Sequence, residues 1–255
     1  MGCGVKLLAV DTATRCQSVA LLDGERVVAQ SERDVGASHA RWLVPTIDEL
    51  LASTGWTVAQ LNGLAVAIGP GSFTGLRIGL ATLLGFRTTS GLPLAAVPTL
   101  EALAWNVRES QRPLCPILRG RTGEAYWALY HWTGYGVLEQ LRQEQVGPVE
   151  QVVGLIDRPM YVFGDGWQAY KDQLRRDLGS RTCNALEIPG AASRVSAVSV
   201  GLAGLHRLTR GEQAAIGLSP RYIQRSEAEL NWERRGRTPE VDHTKRGSGR
   251  HAAQV

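Results

Sequence analysis

The sequence predicts an α/β protein built as two unequal halves, and three observations predict it. Three short apolar strands precede the first helix, strand and helix then alternate, and after Arg112-Pro113 the same scheme restarts in a shorter form. The first strands are Lys6 to Asp11, Ser18 to Leu22 and Arg26 to Arg33, the latter two joined at Asp23-Gly24, a hairpin signal. A helix opens at Ser38, a residue suited to an N-cap. It carries Leu43, Ile47, Leu50, Leu51 and Thr54 on one face and stops at Gly55. Gly63 to Ile68 is the next strand, running into Gly69-Pro70-Gly71-Ser72-Phe73-Thr74-Gly75. From there a second apolar helix extends to Ser90, with Gly91 as its stop, and Leu94 to Val97 is a further strand. In the second half, Leu114 to Leu118, Ala125 to Trp132 and Met160 to Phe163 read as strands, and Trp167 to Leu178 and Arg194 to Arg210 as helices.

A βββαβαβ order separates this chain from a Rossmann domain, which alternates strand and helix from the outset. It resembles the actin-like (ribonuclease H-like) superfold, with a first domain expected at residues 1–111, a smaller one at 112–232 and a tail at 233–255. The length agrees, because 255 residues make one or two domains of about 150 residues. With 44% hydrophobic and 20% charged residues, the chain can fill a core. Its net charge of +4 invites a nucleic-acid reading, so the location of that charge matters. From residue 233 onward six basic residues oppose three acidic ones, which leaves +3 of the +4 in the tail and the body nearly neutral. That tail is expected to be disordered, either simply solvated or touching RNA. Cys3, Cys16, Cys115 and Cys183 form no C-x-x-C pair and no zinc spacing, so free thiols are expected. No apolar run approaches the roughly 18 residues of a membrane span, and Val5 to Val10 is too brief for a signal-peptide core. Lys6 stands where a myristoylation signal needs Ser or Thr, so a cytoplasmic protein is expected.

Two turns could hold an anion. Asp11-Thr12-Ala13-Thr14 ends the first strand, where actin-like ATPases place an acidic residue before a Gly-containing phosphate turn. Ala13 and Arg15 degrade that turn, and a strand-ending Asp in an Asx-type turn explains it equally. Gly69, Gly71 and Ser72 open the second helix with amides that could hold an anion, although the spacing matches neither a Walker A loop nor G-x-G-x-x-G. A tight strand-to-helix turn is the alternative. Within the helix, Gly75, Gly79, Thr82 and Phe86 form a stripe of small and apolar residues beside a leucine face. Three helix-interior glycines would cost about 1 kcal/mol each in isolation, so something must pack closely there. The candidates are the Ser38 helix and a helix of a partner. No two His residues stand three or four apart and no G-x-S-x-G is present, so neither a helix-borne metal nor a serine nucleophile is expected. His39 reads as a helix-end residue or a lone base, and Tyr126, Tyr130 and Trp132 as an ordinary sheet face or a base-stacking one.

Asp11-Thr12-Ala13-Thr14, Ser38-His39, the Gly69 to Gly79 run, Gly123-Glu124-Ala125-Tyr126, Gly164-Asp165-Gly166 and Pro220-Arg221-Tyr222-Ile223-Gln224-Arg225 together resemble the TsaB (YeaZ) family of tRNA threonylcarbamoyladenosine biosynthesis. Gly-Pro-Gly-Ser-Phe-Thr-Gly-Leu-Arg-Ile-Gly is the most specific of these, and the likeness spans residues 5–226. It implies a non-catalytic subunit that supports a TsaD-like catalytic paralogue in modifying the adenosine next to the anticodon of tRNAs reading A-starting codons. A TsaE-like ATPase completes that assembly, tRNA is met through the complex, and ATP or ADP is held within the complex rather than by this chain alone. The resemblance further implies a homodimer in isolation and a partner surface made by the two helices, here His39, Leu43, Ile47, Leu51, Gly75, Gly79, Thr82 and Phe86. Arg119-Gly120-Arg121 departs from the family's usual Asp-Ala-Arg, and the tail is longer than usual. The competing expectations are a self-sufficient enzyme, phosphotransferase or peptidase-like, and an RNA-binding module led by the tail.

Overall fold

Strands that are apolar at every position, rather than at alternate ones, need cover on both faces. In the computed structural model, which describes residues 4–134, 136–188, 190–215 and 217–224, β1 (Lys6–Asp11), β2 (Cys16–Asp23) and β4 (Gly63–Ala67) are covered in this way. With β3 (Arg26–Asp34) and β5 (Leu94–Val97) they form a five-stranded sheet in the order β3-β2-β1-β4-β5. The β1–β2 and β2–β3 pairs are antiparallel, and β1–β4 and β4–β5 are parallel. Leu8, Val10, Leu64 and Val66 point to one face, where α1 (His39–Thr54) and α2 (Phe73–Ser90) cover them with Leu43, Ile47, Leu80 and Leu83. Leu7, Ala9, Ala65 and Ala95 point to the other face.

The second sheet repeats this plan. β6 (Leu114–Arg119), β7 (Glu124–Trp132), β8 (Leu138–Pro148), β9 (Met160–Phe163) and β10 (Ala185–Glu187) are ordered β10-β9-β6-β7-β8. Here too the first three strands are antiparallel, and β6–β9 and β9–β10 are parallel. Two sheets of one topology, each with the βββ start that the sequence predicts, make the actin-like fold. α4 (Asp165–Leu178) covers the outer face of the second sheet, but the place that α1 fills in the first half holds only the short 3-10 stretch Val149–Leu155. Between the sheets lies a continuous core that includes α3 (Thr99–Ala104) and the inner faces of β6 and β7. Tyr126, Tyr130 and Trp132 are buried there, so they are sheet packing rather than a stacking platform for bases. α5 (Ala197–Thr209) follows the second sheet in sequence yet packs on β1, β2, β4 and β5 of the first.

β8, α3 and β10 are elements that the sequence did not signal. Ser38 occupies the N-cap position of α1 without a side-chain cap bond, whereas Ser72 caps α2 by accepting from the Gly75 amide at 3.2 Å. Cys3, Arg225 and the tail at 233–255 lie outside the described residues. No helix among the described residues is long and apolar enough to cross a membrane.

Candidate functional site

The structure brings the two candidate anion turns together, and each fills the other. The Ser72 amide donates to the Ala13 carbonyl at 2.7 Å. A Cβ on Gly71 would strike Ala13, and Cβ atoms on Gly75 and Gly79 would strike the Thr12 carbonyl and hydroxyl oxygens. Thr12 in turn donates its hydroxyl to the Gly75 carbonyl at 2.8 Å. The glycines therefore let α2 approach the β1–β2 turn, which is why this helix tolerates them despite their poor propensity. Four amides that could have held a phosphate already have protein acceptors: Gly69 donates to Thr99 Oγ1 at 3.2 Å, Ala13 to Asp11 Oδ1 at 3.0 Å, Ser72 to Ala13 and Gly75 to the Ser72 hydroxyl.

This packing corrects the partner surface expected on these helices. Gly75 and Gly79 face Thr12 of their own chain, Leu43, Ile47 and Leu51 pack against the first sheet and His39 is buried, so these six residues leave almost nothing for a partner to touch. Thr82 and Phe86 remain half-buried. On the same two helices Val44 is 52% exposed and Ala81 is exposed, so the outward faces carry apolar groups that the stripe argument passed over. His39 is an imidazole tucked under the β1–β2 turn, and burial holds its pKa below the ordinary range.

Between the two sheets opens a cleft of about 470 Å³, lined by Thr14, Arg15 and Cys16 of the first turn, Glu32 of β3, and Asp165 and Arg194 from the second half. Asp11 lies fully buried beside it, one carboxylate oxygen without a hydrogen-bond partner among the described residues. Burial, reinforced by Glu32 and Asp165, pushes its pKa up to about 7. Asp165 is also raised, by burial, although it accepts from the Arg119 amide at 2.9 Å. Three acids converge here, with Arg15 and Arg194 on the same lining. Among the described residues no group of three or more His, Cys, Asp and Glu could hold a metal ion. One cue to Asp165 lies in the chain itself: Gly164-Asp165-Gly166 directly follows a strand, and Gly69-Pro70-Gly71 follows one in the first half with only Ile68 between.

Residues 33–232 match the family model described as "TsaD: tRNA N6-adenosine threonylcarbamoyltransferase". The tRNA threonylcarbamoyladenosine biosynthesis protein TsaB of Bacillus subtilis (strain 168) is 30% identical over 230 residues, covering 89% of this chain and 97% of that protein. The chain belongs to the TsaB family. The Escherichia coli (strain K12) TsaB is 34% identical over 174 residues, 66% of this chain and 74% of that protein. Among solved structures, YeaZ from Pseudomonas aeruginosa superimposes with a TM-score of 0.70 at 26% identity, covering 85% of this chain and 99% of that one. The match to the Bacillus subtilis protein takes in strands of both sheets.

Proposed function

We propose that this chain works in tRNA threonylcarbamoyladenosine synthesis as a non-catalytic subunit, binding a TsaD-like catalytic protein and supporting its transfer of the threonylcarbamoyl group to the adenosine beside the anticodon. A TsaE-like ATPase joins the same assembly, tRNA is engaged through the complex, and the chain pairs with a second copy of itself when alone. Membership of the TsaB family supports the pathway. The observation that carries the supporting role is the mutual packing of the two turns, since a site whose amides are already bonded offers little preorganised electrostatics for a phosphoryl or acyl transfer. On this reading the partner meets the outward faces of α1 and α2, including Val44, Ala81, Thr82 and Phe86. A nucleotide would be held within the assembly, so calorimetry on the isolated chain should find no low-micromolar ATP site.

The decisive experiment is co-purification with the TsaD-like protein of the same cell, together with mass spectrometry of the modified nucleoside in its tRNA. Val44→Glu should leave the melting temperature within a few degrees, because an exposed substitution usually changes stability by less than about 0.5 kcal/mol. It should also abolish co-purification and lower the modified nucleoside. Unimpaired association of Val44→Glu and Ala81→Glu alike would remove the proposed surface, and transfer by the isolated chain would end the non-catalytic reading.

A further inference from the structure

The Gly69 to Gly79 run and the Pro220-Arg221-Tyr222 motif meet outside the cleft, at Arg77 and Tyr222, 145 residues apart in the chain. Gly69 leaves room for the crossing, since a Cβ there would stand 2.6 Å from the Arg221 carbonyl oxygen. The Arg221 amide donates to the Ile68 carbonyl at 2.7 Å, which fixes the backbone one residue before Tyr222. The Tyr222 ring stacks on Phe73 with centroids 4.6 Å apart and planes 26° from parallel. Its hydroxyl accepts from Arg77 Nε at 2.7 Å, and the Arg77 guanidinium lies 3.9 Å from the Phe73 centroid and 5.7 Å from that of Tyr222.

Arginine has more rotamer freedom to lose than most side chains, yet this one is held at three points and pairs with no acid. Elsewhere Arg26 faces Asp23, Arg108 faces Glu25, Arg175 faces Glu187 and Arg207 faces Glu101. Among the described residues Arg77 has no carboxylate beside it, and its terminal nitrogens Nη1 and Nη2 make no hydrogen bond. Arg77 is exposed and Tyr222 is 39% exposed, so both reach the surface. Phe73, Arg77 and Ala81 follow one another at four-residue spacing along α2, which sets the guanidinium in line with the outward face that carries Ala81. A planar fork with two free nitrogens takes a carboxylate or a phosphate. The surroundings favour a carboxylate on a protein. A nucleic-acid backbone is met by a track of cations, whereas the neighbours here are two aromatic rings and Ala81. The other basic residue of α2, Arg87, is spent on the Ala215 carbonyl at 3.3 Å.

We propose that Arg77 is the charged anchor of the partner surface and receives a carboxylate side chain of the catalytic subunit, with Tyr222 as a positioning residue that holds the guanidinium in place before contact. This rests on the reading of the chain as a subunit that binds a TsaD-like protein, and it adds what chemistry the partner brings to one place on that surface. Holding the fork in advance removes an ordering cost from binding. The aromatic rings beside it exclude water once the surfaces close, and a charge pair enclosed in that way is costly to break from one side.

The test is the affinity of the full chain for the TsaD-like protein of the same cell, by titration calorimetry at a fixed ionic strength. Arg77→Ala should weaken binding by at least about thirtyfold while its melting temperature stays within a few degrees of the wild type. Arg77→Lys should recover little of the loss, because a point charge cannot replace the fork. Tyr222→Phe keeps the ring and should cost about five- to tenfold, but less than about twofold when Arg77 is already Ala. Equal penalties of Tyr222→Phe in both backgrounds would overturn the positioning role. Wild-type affinity in Arg77→Ala would overturn the anchor, and if Val44→Glu abolishes binding in the same assay, the partner reading stands without it. Loss of tRNA affinity in Arg77→Ala with partner affinity intact would assign the fork to phosphate and overturn the carboxylate. A wild-type chain that does not bind the TsaD-like protein would end the partner reading and this inference together.

Discussion

Asp11 sits where water does not reach and where two further carboxyls raise the cost of its charge. Its folded pKa of about 7 stands against an ordinary 3.8, so the folded protein keeps a proton that the unfolded chain gives up. Stability from this residue is therefore greatest in acid and is lost as pH rises from about 4 to about 7. Asp11→Asn retains an acceptor for the Ala13 amide and removes the titration. Its urea midpoint should exceed that of the wild type at about pH 8, and the gap should close toward about pH 4. A variant weaker than the wild type at pH 8 would mean that the ionised form is needed. At Gly79 the neighbour is Thr12, whose hydroxyl is already committed to the Gly75 carbonyl. Gly79→Leu should cost roughly 1–3 kcal/mol through overpacking, although the helix alone would gain about 1 kcal/mol. Unchanged stability in equilibrium denaturation would mean that the turn yields where its packing says it cannot.

At the scale of elements, the two long helices of the first half begin with the same residue type in different circumstances. Ser72 accepts from the Gly75 amide and Ser38 makes no side-chain cap bond. Ser72→Ala should accordingly cost about 1 kcal/mol and Ser38→Ala less than about 0.5 kcal/mol when the two are unfolded side by side. Equal losses would remove the distinction. The elements that could be read beforehand, such as β1, β4, β5 and β9, are those whose apolar residues are local and consecutive. β8 could not, because an edge strand is solvated along much of its length and reads Leu-Glu-Gln-Leu-Arg-Gln-Glu-Gln, with too few apolar residues for a period. The bulge in β8 between Arg142 and Gln145 depends on pairing with β7, which no window along the chain contains. The candidate site divides in the same way. Asp11, Thr12, Gly69, Gly71 and Ser72 were visible as turn chemistry, but that the two turns would occupy each other is a property of their approach in space. Close packing holds at Gly75 and Gly79, whose neighbour no helix pattern names, but not at Gly85, which has nothing within 4 Å.

For the whole molecule, the governing feature is the return of α5 to the first sheet. Without it, the face carrying Leu7, Ala9, Ala65 and Ala95 has lost the helix that covers it. A fragment of residues 1–111 should thus lack a cooperative thermal transition, and its amide spectrum should be collapsed. Adding a peptide of residues 194–210 should restore dispersion. A fragment that melts cooperatively by itself would show that the first sheet is self-sufficient. The same feature fixes a schedule. Translation proceeds at roughly 5–20 residues per second, and α5 ends 112 residues after β5, at Thr209 against Val97, so the nascent first sheet waits roughly 5–20 seconds for its cover. For that interval an apolar sheet face stands beside the ribosome, and whatever shields it there sets how much of each newly made chain reaches the folded state.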